Sequence, residues 1–116
     1  MYNSYSIPSV TVQELAVRLA ENDQELQLID VREYSEVAIA EIEGFSVLPL
    51  SEFEQWSSEI TKHFDPDKET WVICHHGMRS AQMCQWLLNN GFSSVKNITG
   101  GIDAYSIQVD SSVARY

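Results

Sequence analysis

The spacing of apolar residues changes along the chain, and each change marks an element. Val12, Leu15, Ala16 and Leu19 recur every three to four residues behind Thr11-Val12-Gln13-Glu14, which has the spacing of a capping box. A first helix over 11–21 is predicted. A polar break at 22–25 precedes Leu26-Gln27-Leu28-Ile29-Asp30-Val31, whose short length and leucine and β-branched content fit a mostly buried strand. Residues 33–40 suit a short helix with Val37 and Ala40 inward, Gly44 breaks the pattern, and a short strand is expected at 47–48. Ser51 and Glu54 again have capping-box spacing, followed by Phe53, Trp56 and Ile60 at i, i+3 and i+7. This predicts one core-facing helix, with Trp56 as part of its packing stripe. The connection 62–70 is polar, carries the turn chemistry of Asp65-Pro66-Asp67, and leaves His63 in solvent.

Trp71-Val72-Ile73 is the most continuously apolar strand candidate, and Ala81, Cys84 and Leu88 then return to helical spacing. Gly91 is placed to end that helix in a left-handed cap with Phe92 folded back. A last strand follows at 95–98. Gly100-Gly101 permits a close backbone approach, Ile102, Tyr105 and Val109 space a final helix, and the polar stretch 111–116 is expected to fray. Strands alternating with helices predict an α/β fold with a mostly parallel sheet between helical layers. In such sheets the loops at the carboxyl ends of the strands build the crevice. Asp30, Arg32 and the segment after Ile73 should therefore share one edge.

At 116 residues the chain suits one domain, 1–116, with a core over about 11–109, and no repeat, linker or low-complexity run divides it. The net charge of −10 is uneven: fifteen acids and four bases precede residue 70, and two acids and three bases follow. No basic patch is present to suit nucleic acid or an anionic membrane surface. Met1 to Val10 carries neither a basic cluster nor a long apolar run, and nowhere is there an apolar stretch of bilayer length, so the expected location is cytoplasmic. Cys74 and Cys84 are then expected as reduced thiols rather than a disulfide.

The stretch between the apolar strand and the following helix, Cys74-His75-His76-Gly77-Met78-Arg79-Ser80, concentrates the chemistry. A cysteine at the mouth of a tight turn meets the amides of that turn and the positive end of a helix, both of which favour thiolate, the nucleophilic form. Arg79 adds a donor fork suited to oxyanions. Cys74 is thus the candidate nucleophile, the backbone from His75 through Gly77 and Met78 to Arg79 the candidate anion cradle, and Ser80 a further hydroxyl donor.

Four features in order carry a resemblance: Asp30-Val31-Arg32-Glu33, the segment from Gly44 to Pro49-Leu50, Cys74 with four residues before Arg79, and Gly100-Gly101-Ile102 followed by Tyr105. Together they resemble a single-domain rhodanese, a sulfurtransferase, over about residues 11–109. The resemblance implies a three-layer fold with a five-stranded, mostly parallel sheet. It implies transfer of sulfane sulfur from thiosulfate or another donor to a thiol or cyanide through a persulfide on Cys74, with no cofactor and no metal. It also implies that Asp30 and Arg32 brace the active-site region. The chain departs from the family at Ala40-Glu41, where Gly-His is common, and at Phe45, where a small residue is usual.

Other readings of the same residues stay in view. His75 or His76 as a base for the thiol competes with the simpler role of tuning charge at the mouth, because a cradle lowers a thiol pKa unaided. A zinc site from contiguous Cys74, His75 and His76 is poorly shaped for one metal. Cys84 reads as a small buried hydrophobe before a resolving thiol. A phosphatase or arsenate reductase would want a wider loop than four residues between cysteine and arginine. The rival from another class is a binding module, or a persulfide carrier loaded by a partner protein.

Overall fold

In the computed structural model, which describes residues 7–116, the alternation along the strands becomes two cores on opposite faces of one sheet. The strands are β1 (Ser9–Val10), β2 (Gln27–Asp30), β3 (Ser46–Val47), β4 (Thr70–Ile73) and β5 (Val95–Ile98). Their order is β1-β5-β4-β2-β3, and every adjacent pair is parallel. β4 lies in the middle, buried along its whole length. Because side chains alternate across a strand, Val72 and Cys74 enter one core with Ile29, Val31, Met83, Cys84, Leu87 and Val95, whereas Trp71 and Ile73 enter the other. Each fully buried aliphatic side chain contributes about 1.5–3 kcal/mol, so continuous burial makes β4 the firmest platform the chain has.

The second core is closed by α1 (Val12–Glu21) and α6 (Gly101–Gln108), the first by α5 (Met78–Asn89) and the helical turns after β3. α1 starts as its sequence dictates. The Thr11 hydroxyl accepts from the Glu14 amide and the Glu14 carboxylate from the Thr11 amide, each at 3.0 Å. α2 (Tyr34–Ile39) follows β2 and buries Ala40 just past its end. α5 ends as expected, with Gly91 at φ +92° and the Phe92 amide donating back to Leu87.

The single helix predicted from Ser51 is not formed. The segment is a relay of short turns: a 3-10 turn at Leu50–Glu52, α3 (Phe53–Trp56), a 3-10 turn at Ser57–Glu59 and α4 (Ile60–His63). Long-range competition contributes: the Ser51 amide, which a capping box would give to the Glu54 carboxylate, donates with the Ser51 hydroxyl to the Glu33 carboxylate instead, so the reciprocal pair with Glu54 does not close. Trp56 is nonetheless packing, edge-on to Phe53 and Trp86, with its indole N–H donating to the Pro49 carbonyl at 2.8 Å. The stretch 111–116 is not frayed: the Ser106 hydroxyl donates to the Val113 carbonyl at 2.5 Å, and Val113 packs against the second core. The expectations for Met1 to Val10 lie partly outside the described residues. Among the described residues no helix is long and apolar enough to cross a membrane.

Candidate active site

β4 ends at Ile73 and delivers Cys74 to the carboxyl edge of the sheet, 1% exposed. The chain then turns through His75 and His76 to Gly77, whose φ of +104° sends it into α5. A side chain is strained at that angle, and a Cβ there would press within 3.2 Å of the Gly100 amide nitrogen. The Gly77 amide donates to Cys74 Sγ at 3.0 Å, and Ser80 Oγ, fully buried one turn into α5, lies 3.2 Å from the same sulfur.

Asn97, midway along β5, fixes the orientation of this group. Its side-chain amide donates to the Gly77 carbonyl at 3.0 Å, so its oxygen is the atom that accepts from Ser80 Oγ at 2.5 Å. With the Ser80 hydrogen committed to Asn97, a protonated Cys74 is the donor across the 3.2 Å contact. Ionisation of the sulfur would favour turning the Ser80 hydrogen toward it.

The other wall is α6. Its first amides, those of Ile102 and Asp103, donate to the Cys74 and His75 carbonyls at 2.9 and 3.1 Å. Gly101 permits the approach: a Cβ there would stand 2.4 Å from the Cys74 carbonyl oxygen. The close contact expected of Gly100-Gly101 is thus a backbone clamp on the loop.

Asp30 ends β2 beside Ile73 of β4, and Arg32 is paired to it. Arg32 Nε donates to both Asp30 oxygens at 3.1 and 3.2 Å and Nη2 to one of them at 2.8 Å, with the Arg32 side chain fully buried. A buried arginine held this completely orients the chain that leaves β2.

Arg79 turns its fork toward α2. Nη1 and Nη2 donate to the two Glu36 oxygens at 2.7 and 2.9 Å, which holds the Glu36 carboxyl down at about 2 and the guanidinium well above its ordinary range. Met78, beside it, is 78% exposed at the rim. Neither imidazole hydrogen-bonds the Cys74 sulfur among the described residues. His76 is mostly in solvent, with Nδ1 3.9 Å from Asp103 Oδ2. His75 is sandwiched between His76 and Tyr116, ring centroids 3.9 and 3.8 Å away, and partial burial followed by the neighbouring imidazole lowers its pKa. Cys84 is wholly buried in the first core, and desolvation pushes its thiol up to about 12. That environment suits a packing residue and leaves no reactive thiolate near neutral pH.

The structure therefore brings Cys74, Gly77, Ser80, Arg79, Gly100 and Gly101 together at one edge, with Asp30 and Arg32 at the end of the neighbouring strand β2. It adds Glu36, Asn97, Asp103 and Tyr116, which local sequence reasoning passed over. Glu36 had a faint signal, one helical turn past Arg32 on a helix leaving the same strand end. Asn97 showed only as a polar residue interrupting a strand, and Tyr116 gave no sign.

Comparison with known proteins identifies the family and the fold. The profile of the rhodanese-like domain family matches residues 11–108. The chain is 46% identical over 112 residues to a rhodanese-like/PpiC domain-containing chloroplastic protein of Arabidopsis thaliana; the match spans 95% of this chain and 38% of that protein. It is 32% identical over 100 residues to a sulfurtransferase of Allochromatium vinosum, covering 86% of this chain and 89% of the other. Among solved structures, a rhodanese-like domain protein of Staphylococcus aureus superposes with a TM-score of 0.75 at 25% identity, covering 95% of this chain and 99% of that one.

Proposed function

The chain belongs to the rhodanese-like domain family, and from that premise we propose that it is a sulfurtransferase which carries sulfane sulfur as a persulfide on Cys74. The observation that carries this reading is the Gly77 amide aimed at Cys74 Sγ at 3.0 Å, at the mouth of the turn into α5. A donor placed there stabilises the negative charge that sulfur carries as the attacking thiolate and, after transfer, at the base of the persulfide.

The step is a substitution at sulfur. The Cys74 thiolate attacks the outer sulfur of thiosulfate, the new S–S bond forms as the old one breaks, and its electron pair leaves with sulfite. An acceptor thiolate or cyanide then attacks the terminal sulfur, takes it, and returns Cys74 as thiolate. Both steps conserve electrons without a cofactor. The whole chain, 1–116, acts as one domain in this reading. His75, His76, Gly77, Met78 and Arg79 supply the walls of the cradle, Ser80 the second polar contact to sulfur, and Asp30, Arg32, Gly100 and Gly101 its support.

A second reading is favoured by the Glu36–Arg79 pair. Both arms of the site's fork are engaged by a carboxylate, so a dianionic donor meets no unpaired cation there and approaches a chain of net charge −10. A protein-borne persulfide, with little charge at the reacting sulfur, suits that environment better than thiosulfate. Binding without turnover is the remaining alternative. The loop of four residues and the engaged arginine both speak against phosphate or arsenate chemistry.

Intact mass of the reduced protein before and after thiosulfate, with Cys74→Ser beside it, tests the proposal. One added sulfur atom that requires Cys74 and leaves on addition of cyanide or a dithiol is expected. No gain with thiosulfate but a gain from a small-molecule hydropersulfide would select the carrier reading, and no gain from either would overturn sulfur transfer.

A further inference from the structure

The segment 110–116 crosses the site side of the domain and is tied to it at successive points. Val113 packs on the second core and accepts from Ser106. Arg115 Nε donates to Asp103 Oδ1 at 3.0 Å, and Asp103 is the residue whose amide holds the His75 carbonyl. Tyr116 then reaches both sides of the Cys74 loop. Its ring lies flat on His75, centroids 3.8 Å apart at an interplanar angle of 7°. Its hydroxyl accepts from Arg32 Nη1 at 3.0 Å and donates to Glu36 Oε1 at 3.1 Å, the carboxylate that grips Arg79.

We propose that Tyr116 is a specificity-determining residue: a bar between α2 and the Cys74 loop that sets the width of what reaches the Cys74 sulfur. Three observations converge. The tyrosine spans from the loop through His75 to α2 through Glu36, so it bridges two elements that flank the cysteine. Tyr116 keeps 37% of its surface exposed while Cys74 keeps 1%, so a reagent reaches the sulfur only when groups around it move, and the half-open tyrosine is one that solvent already touches. Its contacts are a stack and two hydrogen bonds, one to a charged donor and one to a charged acceptor, which together hold a ring in place yet are weak enough to open. A slim reagent passes such a bar, and a broad one waits for it to swing out. The bar goes beyond the sulfur-transfer reading and does not depend on it, because access to Cys74 can be read from alkylation alone.

The test compares second-order rates of Cys74 modification by iodoacetamide, which is small, and fluorescein maleimide, which is broad, in a Cys84→Ser background so that one thiol is read. Tyr116→Ala is expected to raise the maleimide rate about tenfold while the iodoacetamide rate stays within about twofold, since only the opening step changes. Tyr116→Phe keeps the ring but not its hydroxyl bridge and should fall between. Arg115→Ala, which leaves Tyr116 in place and cuts the tie to Asp103, provides the same readout if the alanine variant is poorly folded, and should raise the maleimide rate selectively by a few fold. Equal changes with both reagents would mean that the variants alter the sulfur's reactivity and not its access, and no change with either would mean that the ring obstructs nothing. Either result overturns the proposal.

Discussion

Arg79 and Glu36 face each other through two parallel hydrogen bonds, at 2.7 and 2.9 Å, so the arginine that closes the cysteine loop is fastened to the first helix after β2. The pair is 43 residues apart in sequence and joins α2 to α5 across the mouth. Such a link contributes only while the carboxylate is charged. Glu36 is lowered from 4.5 to about 2, chiefly by the Arg79 hydrogen bonds, so its contribution is full above about pH 4.5 and is lost as the pH falls through 2. Glu36→Gln should cost about 1–2 kcal/mol at pH 7, allowing for solvent screening at the partly exposed arginine. In urea titrations the gap between the variant and the parent should narrow steadily below pH 4.5. A gap that stays constant down to pH 2 would mean that the carboxylate charge is not what holds the arginine.

Gly101 and Gly91 separate collision from backbone strain. Both have positive φ, but a Cβ on Gly101 would stand 2.4 and 2.5 Å from the carbonyl oxygens of Cys74 and His75, while Gly91 has nothing within 4 Å. Gly91→Ala should cost about 1 kcal/mol. Gly101→Ala should cost about 2–4 kcal/mol and displace the loop, so both its melting temperature and its sulfur loading should fall. Equal costs would show that the close approach is easily relieved.

Asn97 holds Ser80 and Gly77 with the two ends of one amide. Asn97→Ala leaves a buried hydroxyl and a loop carbonyl without these partners. A loss of about 1–3 kcal/mol is expected, together with roughly tenfold slower persulfide formation followed by mass spectrometry. A slower reaction with unchanged affinity for the donor would fit a residue that aims the cradle. Unchanged kinetics would leave Asn97 as core only.

Neither imidazole beside Cys74 is bonded to its sulfur, so the double variant His75→Ala, His76→Ala should still form the persulfide, within about threefold of the parent rate. Complete loss would restore an imidazole base to the account. His75→Ala also removes the surface on which Tyr116 lies, and therefore should raise maleimide access to Cys74 even as the chemistry persists.

How much of this was legible in the sequence depended on how far apart the partners sit. The Thr11–Glu14 capping box, the apolar β4 stretch and the Gly91 cap involve residues within a few positions, and each formed as its local pattern dictates. Ser51–Glu54 has the same local spacing and fails, because Glu33, eighteen residues earlier, takes the serine first. β1 is two residues long, too short for any period to declare itself. Cys74, Gly77 and Ser80 could be read because they are neighbours on one loop. Asn97, Glu36 and Tyr116 lie 20, 43 and 84 residues from the groups they hold, and only the parallel sheet order brings them to the same edge. The pairing of Arg79 with Glu36 is hidden for the same reason, since nothing near position 79 announces its partner.

Gly100 precedes α6 without a side chain able to accept from the first turn, yet two amides of that turn are satisfied by the Cys74 and His75 carbonyls. The reactive loop is thereby the helix's own cap. Any excursion that lifts the loop away from its resting geometry must strand those two amides, so loop opening and unravelling of the first turn of α6 form one event with one free energy. Hydrogen exchange at Ile102 and Asp103 would therefore serve as a clock for the cysteine's surroundings, ticking faster whenever the loop loosens and slower when sulfur or a partner holds it still.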